Sequence, residues 1–355
     1  MRFSYDNPLR IHAGAGCAAR LVDEAGGWRR IFLVTTRSVE AALGPTVERL
    51  LGGRLVGRFA RIRQHTPIED VRAAAEAARA LQPDCLLSLG GGSAVDATKS
   101  IAFILATGLS LDDRDRARAL EPETLPHLAV PTTLSAAEMD GAAGFTDSRE
   151  KVGIRARTLV PTAVFYDADL TLPTPLPLWL STGIRAVDHA IEGLLAPDAN
   201  PLSEAAALAA LQRLRPALER THADPGDLQA RTEAQLGAWL SMLLPQSSSR
   251  GLSHVLGKSI GARYGIPHGV TSCLLLPHVL RHLGPAHRAT LERVALALGA
   301  ETDAADAVAS LVGALGLPQH LGAYGLSDAD LQAAAEPLAR HIPVAEAMAI
   351  FRAAW

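Results

Sequence analysis

Three histidines in two short segments are the residues best suited to chemistry. His189 lies in the segment at 183–192, GIRAVDHAIE, and His254 and His268 lie in the segment at 251–269, GLSHVLGKSIGARYGIPHG. Imidazole is a common ligand for zinc and iron, and three imidazoles are enough to hold a zinc ion. The spacing therefore indicates a metal site as one interpretation.

Two cationic side chains fall one helical turn from these histidines. Arg185 precedes His189 by four residues, and Lys258 follows His254 by four residues. Residues at this spacing lie on the same face of a helix, about 5–6 Å apart. A cation at that distance repels a divalent ion, so the same segments also fit a site in which protein cations replace the metal.

The composition is that of an ordinary globular protein with no bias toward a polyanionic partner. The chain has 355 residues, of which 48% are hydrophobic and 20% are charged, and its net charge is −3. This balance argues against nucleic acid or anionic membranes as partners. There is no uninterrupted apolar run of about 18 residues, and the first residues do not have the pattern of a secretory signal. The three cysteines form no CxxC pair and fit a reducing compartment, so we expect a cytoplasmic protein.

The pattern of apolar residues changes near residue 170 and predicts two domains. Residues 1–170 alternate short β-rich runs with helical stretches, which predicts βαβ units around a mostly parallel sheet. Residues 171–355 are rich in Ala and Leu at helical spacing, which predicts an all-helical domain. The proline-rich segment at 171–179, TLPTPLPLW, fits neither a continuing helix nor a central strand and marks the boundary.

The same patterns predict individual elements. Strands are predicted at 30–36, 54–62, 84–89, 125–133 and 162–170, helices at 38–53, 68–82, 197–220 and 224–244, and a hairpin at 144–147 and 151–156. The strands are short runs of β-branched and other apolar residues, and the helices carry apolar residues three and four apart.

The glycine-rich segment at 90–102, GGGSAVDATKSIA, follows a predicted buried strand and leads into a helix. Consecutive glycines allow close backbone approach, and a helix N-terminus presents unpaired N–H groups to a phosphate. A dinucleotide pyrophosphate fits this place, although the segment has neither GxGxxG nor the GK[ST] ending of a P-loop. A strand-to-helix turn without a ligand is the alternative, in which Asp96 and Lys99 form a solvated ion pair.

The segment PTTLSAAE at 131–138 follows another predicted strand with hydroxyl and small side chains, which suit contacts with ribose or amide groups. In this order the glycine segment, the PTT segment and the spaced histidines resemble the iron-containing alcohol dehydrogenases over nearly the whole chain, and their maleylacetate reductase branch in particular. The resemblance implies a Rossmann-like, dinucleotide-binding α/β domain followed by an all-α domain, the dehydroquinate synthase-like fold. It also implies hydride transfer between a nicotinamide cofactor and a carbonyl group.

The resemblance further implies roles in the cofactor site. Gly90, Gly91, Gly92 and Ser93 would hold the pyrophosphate, Asp96 and Lys99 would border the ribose, and Thr132, Thr133 and Leu134 would line the adenine or nicotinamide. Thr36 stands where many members carry an aspartate that binds the adenosine ribose, and Arg37 follows it. Without that carboxylate a 2′-phosphate is not repelled, and Arg37 can pair with it, so NADP(H) is expected beside NAD(H). Arg37 as an ordinary surface residue is the alternative.

Metal-binding members of this family use one aspartate and three histidines. The histidine positions are occupied here by His189, His254 and His268. Arg185 stands at the aspartate position, and Asp188 lies about 100° around the helix from His189, which aims it poorly as a substitute ligand. We expect Asp188 and Glu192 to balance Arg185 at the helix surface. Because maleylacetate reductases lack the same aspartate and work without metal, the resemblance implies that this chain binds no metal.

Without a metal, protein side chains must polarise the carbonyl and supply the proton. Arg185 can stabilise the oxyanion, and His189, His254 or Lys258 can donate the proton. By the resemblance, Lys258 replaces a further family histidine. The cluster of cations would also attract a carboxylate, so the expected substrate is an oxo-acid of the maleylacetate type.

The leading hypothesis is an NAD(P)H-dependent oxidoreductase that acts on a small carbonyl compound, as a homodimer. One alternative is a zinc- or iron-dependent alcohol dehydrogenase with His189, His254 and His268 as metal ligands. A dehydroquinate synthase-like lyase, which uses NAD transiently, is a second alternative because it shares the fold. A non-catalytic protein that binds sugars or nucleotides is the third.

Overall fold

The computed structural model describes residues 3–8, 10–109, 111, 119–147, 150–245 and 251–355. The chain divides into two compact units. The first unit is Asp6–Thr174, and the second is Pro175–Trp355 together with the segment Met1–Tyr5. From the sequence we placed the division after residue 170.

The first unit is built around a six-stranded parallel sheet. The strands of the unit are β1 Arg10–Ala13, β2 Ile31–Val34, β3 Leu55–Phe59, β4 Cys85–Gly90, β5 His127–Pro131, β6 Ala142–Asp147, β7 Glu150–Arg155 and β8 Ala163–Tyr166. The order in the sheet is β1-β8-β5-β4-β2-β3, and β6 and β7 form a separate antiparallel pair. The predicted strands and the predicted hairpin are confirmed; β2, β3, β5 and β8 are shorter than expected, and β4 has the expected length but is shifted by one residue.

Strand β1 is the strand of the parallel sheet that the sequence pattern did not predict. Its four residues, RIHA, lie at the edge of the sheet beside β8, and none of them is fully buried. A short edge strand has neither the continuous apolar run of a buried strand nor a clear alternation.

Helices cover the sheet of the first unit. They are α1 Leu21–Glu24, α2 Arg37–Leu51, α3 Ile68–Leu81 and α4 Gly92–Thr107. Alternate residues of β2 point to opposite faces, because side chains alternate along a strand. Phe32 and Val34 pack in a core with α3, α4 and the hairpin, whereas Ile31 and Leu33 pack in a second core with α2. The loops that follow β2, β4 and β5 are thereby fixed at one end of a rigid sheet.

The second unit consists of helices, with no strand among its described residues. The helices are α5 Leu176–Leu195, α6 Pro201–Ala223, α7 Leu228–Ser241, α8 Leu252–Tyr264, α9 His268–Ala297, α10 Ala304–Ala314, α11 Asp328–Ala335 and α12 Val344–Ala353. Buried residues of α8, α9, α11 and α12 share one core around Phe351. In the described part of the chain, no helix combines the length and the apolar character that crossing a membrane requires.

The proline-rich segment at 171–179 corrects one prediction. We expected it to join neither helix nor strand, but α5 begins inside it, at Leu176. Pro177 lies in the first turn of the helix. Proline is tolerated there because the first N–H groups of a helix have no partner within the helix. The segment therefore starts the helix that carries Arg185 and His189.

Candidate active site

The glycine segment forms the turn between strand β4 and helix α4. Gly90 ends the strand with a φ of 137°, a conformation that favours glycine, and Gly91 is the N-cap of the helix without a side-chain cap. A Cβ atom on Gly91 would lie 2.9 Å from Cγ2 of Thr133, and one on Gly92 would lie 3.0 Å from Oγ of Ser135. The loop after β5 thus packs so closely on this turn that only glycine fits.

Two hydroxyl groups next to this turn are not satisfied by the protein. Oγ1 of Thr133 and Oγ of Ser135 are buried and have no hydrogen-bond partner among the described residues. Buried polar atoms normally have a hydrogen-bond partner, so two buried hydroxyls without one, beside an uncapped helix N-terminus, fit a polar ligand. The turn and the two hydroxyls therefore fit the phosphate portion of a dinucleotide. Ser135 was not among the predicted site residues, although it lies within the PTTLSAAE segment.

Other predicted residues of the same loop shape its backbone. Thr132 is buried, its N–H donates to the carbonyl of Gly90 over 3.0 Å, and its own carbonyl accepts from Oγ1 of Thr174 over 2.8 Å. Leu134 is fully buried. Ser93 and Asp96 lie on the first turns of α4 and are partly exposed. The structure thus brings the predicted loop residues together at the ends of β4 and β5.

Lys99 has a different role from the one predicted. Its side chain is fully buried, and Nζ donates to the carbonyl oxygens of Ala137, Asp140 and Ala142 over 2.6, 2.5 and 2.9 Å. These bonds use all three hydrogens of an ammonium group, so none remains for a ribose. Burial lowers the pKa of Lys99. Lys99 therefore holds the segment that follows the PTT motif, and both its predicted contact with the ribose and the alternative of a solvated ion pair are wrong.

Thr36 and Arg37 follow strand β2. Thr36 is the N-cap of helix α2, and its Oγ1 accepts a weak hydrogen bond from the N–H of Val39 over 3.4 Å. Arg37 is the first residue of that helix and is exposed. This arrangement leaves the predicted role of Arg37 toward a 2′-phosphate as a prediction.

In the helical unit, one face of α5 carries the predicted chemistry. Arg185, Asp188, His189 and Glu192 occupy positions i, i+3, i+4 and i+7, which share one face of a helix. Arg185 is 3% exposed, Asp188 is 0% exposed and His189 is 7% exposed. Charged groups are buried to this extent only when they are paired and hydrogen-bonded.

Arg185 and Asp188 form a buried ion pair. Nη1 of Arg185 donates to Oδ2 of Asp188 over 2.8 Å and to Oγ of Ser272 over 2.9 Å. The same Oδ2 atom accepts from Oγ of Ser253 over 2.8 Å and from Oγ of Ser272 over 2.7 Å. Asp188 therefore pairs with Arg185 as expected, but the expected location at the helix surface is wrong, because Ser253 of α8 and Ser272 of α9 cover this face of α5.

Glu192 also has a defined partner instead of a solvated position. Its Oε1 accepts the backbone N–H of His254 over 2.9 Å, and its Oε2 accepts that of Gly251 over 3.2 Å. Helix α8 has no side-chain cap of its own at Gly251. Glu192 on α5 thus caps the N-terminus of α8. A carboxylate is favourable at this positive helix end, and its hydrogen bond fixes the backbone of His254.

The structure brings His254 and His268 together. The ring centroids of His254 and His268 lie 5.0 Å apart, with the rings at 89°. His268 is the first residue of α9, whose neighbour Gly269 lets the helix approach α5: a Cβ there would lie 2.7 Å from the carbonyl oxygen of Ser181. Lys258 is on α8 and is exposed.

The residues present do not fit a metal ion of the expected kind. Within the described ranges, no three or more His, Cys, Asp and Glu side chains are grouped so that they could hold an ion. Arg185 brings a positive charge to the position where a carboxylate ligand was expected, and Oδ2 of the neighbouring Asp188 accepts three hydrogen bonds. A divalent ion needs deprotonated or neutral donor atoms, and a guanidinium at this position offers none.

Comparisons with known proteins agree with the two-unit fold. Residues 8–168 match the family described as "Iron-containing alcohol dehydrogenase", and residues 179–349 match "Fe-containing alcohol dehydrogenase family, C-terminal". Maleylacetate reductase of Sphingobium indicum is 33% identical to the chain over 345 residues, which are 97% of this chain and 93% of that protein. The crystal structure of maleylacetate reductase from Agrobacterium tumefaciens has a TM-score of 0.86 and 29% identity, covering 100% of this chain and 98% of that one.

A third relative illustrates the shared fold. Sulfoacetaldehyde reductase from Bifidobacterium kashiwanohense, solved in complex with NAD⁺, has a TM-score of 0.89 at 24% identity and covers 99% of this chain and 98% of its own. These matches span both the parallel-sheet unit and the helical unit of the chain. The chain belongs to the iron-containing alcohol dehydrogenase family, and it is an NAD(P)-dependent oxidoreductase similar to maleylacetate reductases.

Proposed function

We propose that this enzyme reduces the ketone of a small oxo-acid of the maleylacetate type with NADH or NADPH, and that it does so without a metal ion. The observation that carries the proposal is the buried Arg185–Asp188 pair, which provides a fixed guanidinium where the metal-binding relatives are expected to have a carboxylate ligand. The similarity to maleylacetate reductases over 97% of the chain supports the same substrate class.

The cofactor portion of the proposal rests on the first unit. The backbone of Gly90–Ser93 would bind the pyrophosphate, and the hydroxyls of Thr133 and Ser135 would donate to the cofactor. When bound, NAD(P)H supplies the hydride. Arg37 is exposed at the start of α2 and would pair with a 2′-phosphate, so the enzyme would use both cofactors.

The substrate portion rests on the helical unit. The guanidinium of Arg185 is permanently charged and would bind a carboxylate or the developing oxyanion, since it matches planar oxyanions in geometry. Asp188 offsets the formal charge of Arg185, so the affinity comes from directed hydrogen bonds more than from net positive charge. His254, close to His268, would donate the proton to the alkoxide, with His189 and Lys258 as further candidates.

A panel of matched substrates tests this function. The purified enzyme is assayed with NADH and NADPH against oxo-acids and their neutral methyl esters. We expect net consumption of the reduced cofactor with the acids and much slower reaction with the esters. Equal rates with acids and esters would contradict the carboxylate requirement. Product formation without net NADH consumption would identify the dehydroquinate synthase-like lyase instead. Light scattering of the same preparation tests our further expectation of a homodimer.

A further inference from the structure

We infer that Asp188 is the positioning residue for Arg185, and that Ser253 and Ser272 are the two hydroxyls that anchor Asp188. This inference rests on the proposed role of Arg185 in binding the substrate. Asp188 does not touch the substrate in this account, and it acts by fixing the plane and position of the guanidinium.

The hydrogen bonds of Oδ2 of Asp188 come from three different helices. Arg185 belongs to α5 with Asp188 itself, Ser253 to α8 and Ser272 to α9. One carboxylate oxygen therefore ties together the helices that carry Arg185, His254 and His268. Charge-assisted hydrogen bonds of this kind are stronger and more directional than those between neutral groups.

Two of these bonds form a closed ring together with the hydrogen bond between Arg185 and Ser272. Nη1 of Arg185 donates to Asp188 over 2.8 Å and to Ser272 over 2.9 Å, and Ser272 donates to Asp188 over 2.7 Å. Both hydrogens of Nη1 are used, and the guanidinium is planar, so its orientation is fixed. It cannot rotate without breaking two bonds at once. Ser253, the third donor to Asp188, immediately precedes His254 in α8, so the same carboxylate also fixes the start of the helix that presents the histidine.

Stability alone does not account for this arrangement. A buried ion pair is often no more stable than apolar side chains of the same volume, because both charges lose their hydration. The pair is 3% and 0% exposed, and it lies one turn from His189 on the face of α5 that packs against the histidine-bearing helices. Its position beside the candidate catalytic groups is what favours an orienting role.

The test compares Asp188→Asn with the native enzyme. Asparagine keeps the shape but removes the charge, so the guanidinium loses its fixed orientation. We expect kcat/KM for the oxo-acid to fall about 100-fold, since a displacement of about 1 Å can cause such a loss. The rate with the matched methyl ester should fall much less, so the ratio of acid to ester rates should drop, while the Kd of NADH should not change. Asp306→Asn serves as the control, because Asp306 pairs with Arg281 at the surface of the same unit and should leave all values unchanged.

A merely structural role gives a different result. It would lower Tm and the amount of active enzyme while leaving the acid-to-ester ratio of the folded enzyme unchanged, and that outcome would overturn the inference. If Asp188→Asn does not fold, Ser272→Ala tests the inference instead. It removes the hydrogen bonds that Ser272 makes with Arg185 and Asp188 but keeps their ion pair. For Ser272→Ala we expect a loss of about 10-fold, as for one hydrogen bond to a charged group, again confined to the acid. An unchanged acid-to-ester ratio in Ser272→Ala would also overturn the inference.

Calorimetry with succinate, a non-reacting dicarboxylate, separates this inference from the proposed function. Succinate should bind the native enzyme and bind Asp188→Asn about 10-fold or more weakly, without any turnover. A native enzyme that binds succinate but reduces no oxo-acid would overturn the proposed function alone. A native enzyme and an Asp188→Asn variant that bind succinate equally would overturn the positioning role alone.

Discussion

The glycine turn of the first unit and the α5 face of the helical unit, the two regions that we propose bind anionic groups, offer different kinds of donor. At the turn, Lys99 donates to three backbone carbonyls, and among the described residues the hydroxyls of Thr133 and Ser135 are left unsatisfied. The α5 face uses a full charge, Arg185, and holds it with a second charge and two serines. Backbone N–H and hydroxyl groups suit a cofactor that is the same for every substrate. A fixed guanidinium can instead select substrates that carry a carboxylate.

Removing the positive charge of Arg185 should have the largest effect on activity. Arg185→Ala takes away the group proposed to bind the substrate carboxylate and leaves Asp188 buried without its cation. We expect kcat/KM for the oxo-acid to fall about 1,000-fold, as for the loss of a preorganised donor to a negatively charged group, and stability to fall by about 3–5 kcal/mol. Steady-state kinetics and urea unfolding measure the two effects.

Arg185→Lys provides the matched comparison for this variant. Lysine keeps the positive charge but lacks the planar guanidinium, so Arg185→Lys should restore more of the stability than of the activity lost in Arg185→Ala. Full activity in Arg185→Lys would show that charge alone is sufficient, and that the geometry around Asp188 does not matter.

Filling the glycine turn tests the other region. In Gly91→Ala the new Cβ would lie 2.9 Å from the side chain of Thr133, so the threonine must move. We expect the Kd of NADH, measured by fluorescence, to rise about 100-fold because the cofactor contacts are displaced. Gly53→Ala is the control, because a Cβ at Gly53 has no atom within 4 Å. An unchanged Kd in Gly91→Ala would mean that the turn does not hold the cofactor.

The buried His127, at the start of strand β5, leads to a prediction about pH. His127 is 3% exposed and hydrogen-bonded to Ser88 over 2.7 Å, and burial, with a smaller contribution from Lys99, lowers its pKa from 6.5 to about 3. The unfolded chain binds a proton near pH 6.5 and the folded chain does not, so the stability that His127 contributes is present above pH 6.5 and is lost as the pH falls toward 3.

Urea unfolding of His127→Gln measures this contribution. Between about pH 7.5 and about pH 5 the native enzyme should lose about 2 kcal/mol more stability than the variant. Glutamine keeps a hydrogen-bonding group but does not titrate. Parallel pH profiles for the two proteins would show that His127 has the same pKa in the folded and unfolded states, which would contradict the prediction.

The smallest expected effect concerns the second phosphate of the cofactor. Arg37 is exposed, and an exposed ion pair contributes little, so Arg37→Ala should raise the KM for NADPH by only about threefold. The KM for NADH should not change. Equal changes for both cofactors would assign Arg37 to the surface of α2 instead.

The fold class and the family followed from local patterns, whereas the partners of key side chains did not. Buried strands such as β4 and the glycine turn are continuous in sequence, so their residues identify them directly. Lys99 meets its carbonyl partners 38, 41 and 43 residues away, and Asp188 meets Ser253 and Ser272 at 65 and 84 residues. Packing of α4 against the segment at 137–142, and of α5 against α8 and α9, brings these groups together, and neither serine belongs to a pattern that marks it as a partner. Burial therefore changed Asp188 from an expected surface residue into the centre of the network.

The most direct test of the account is turnover by enzyme of known metal content. The enzyme is treated with chelator, its zinc and iron are determined by mass spectrometry, and its oxo-acid reduction is assayed with NADH before and after addition of Zn²⁺ or Fe²⁺. With Arg185 held by Asp188 in place of a metal ligand, we predict full activity in the metal-free enzyme and no gain from either ion. Activity that is lost with the chelator and restored by one of the ions would contradict the account and identify a metal-dependent alcohol dehydrogenase.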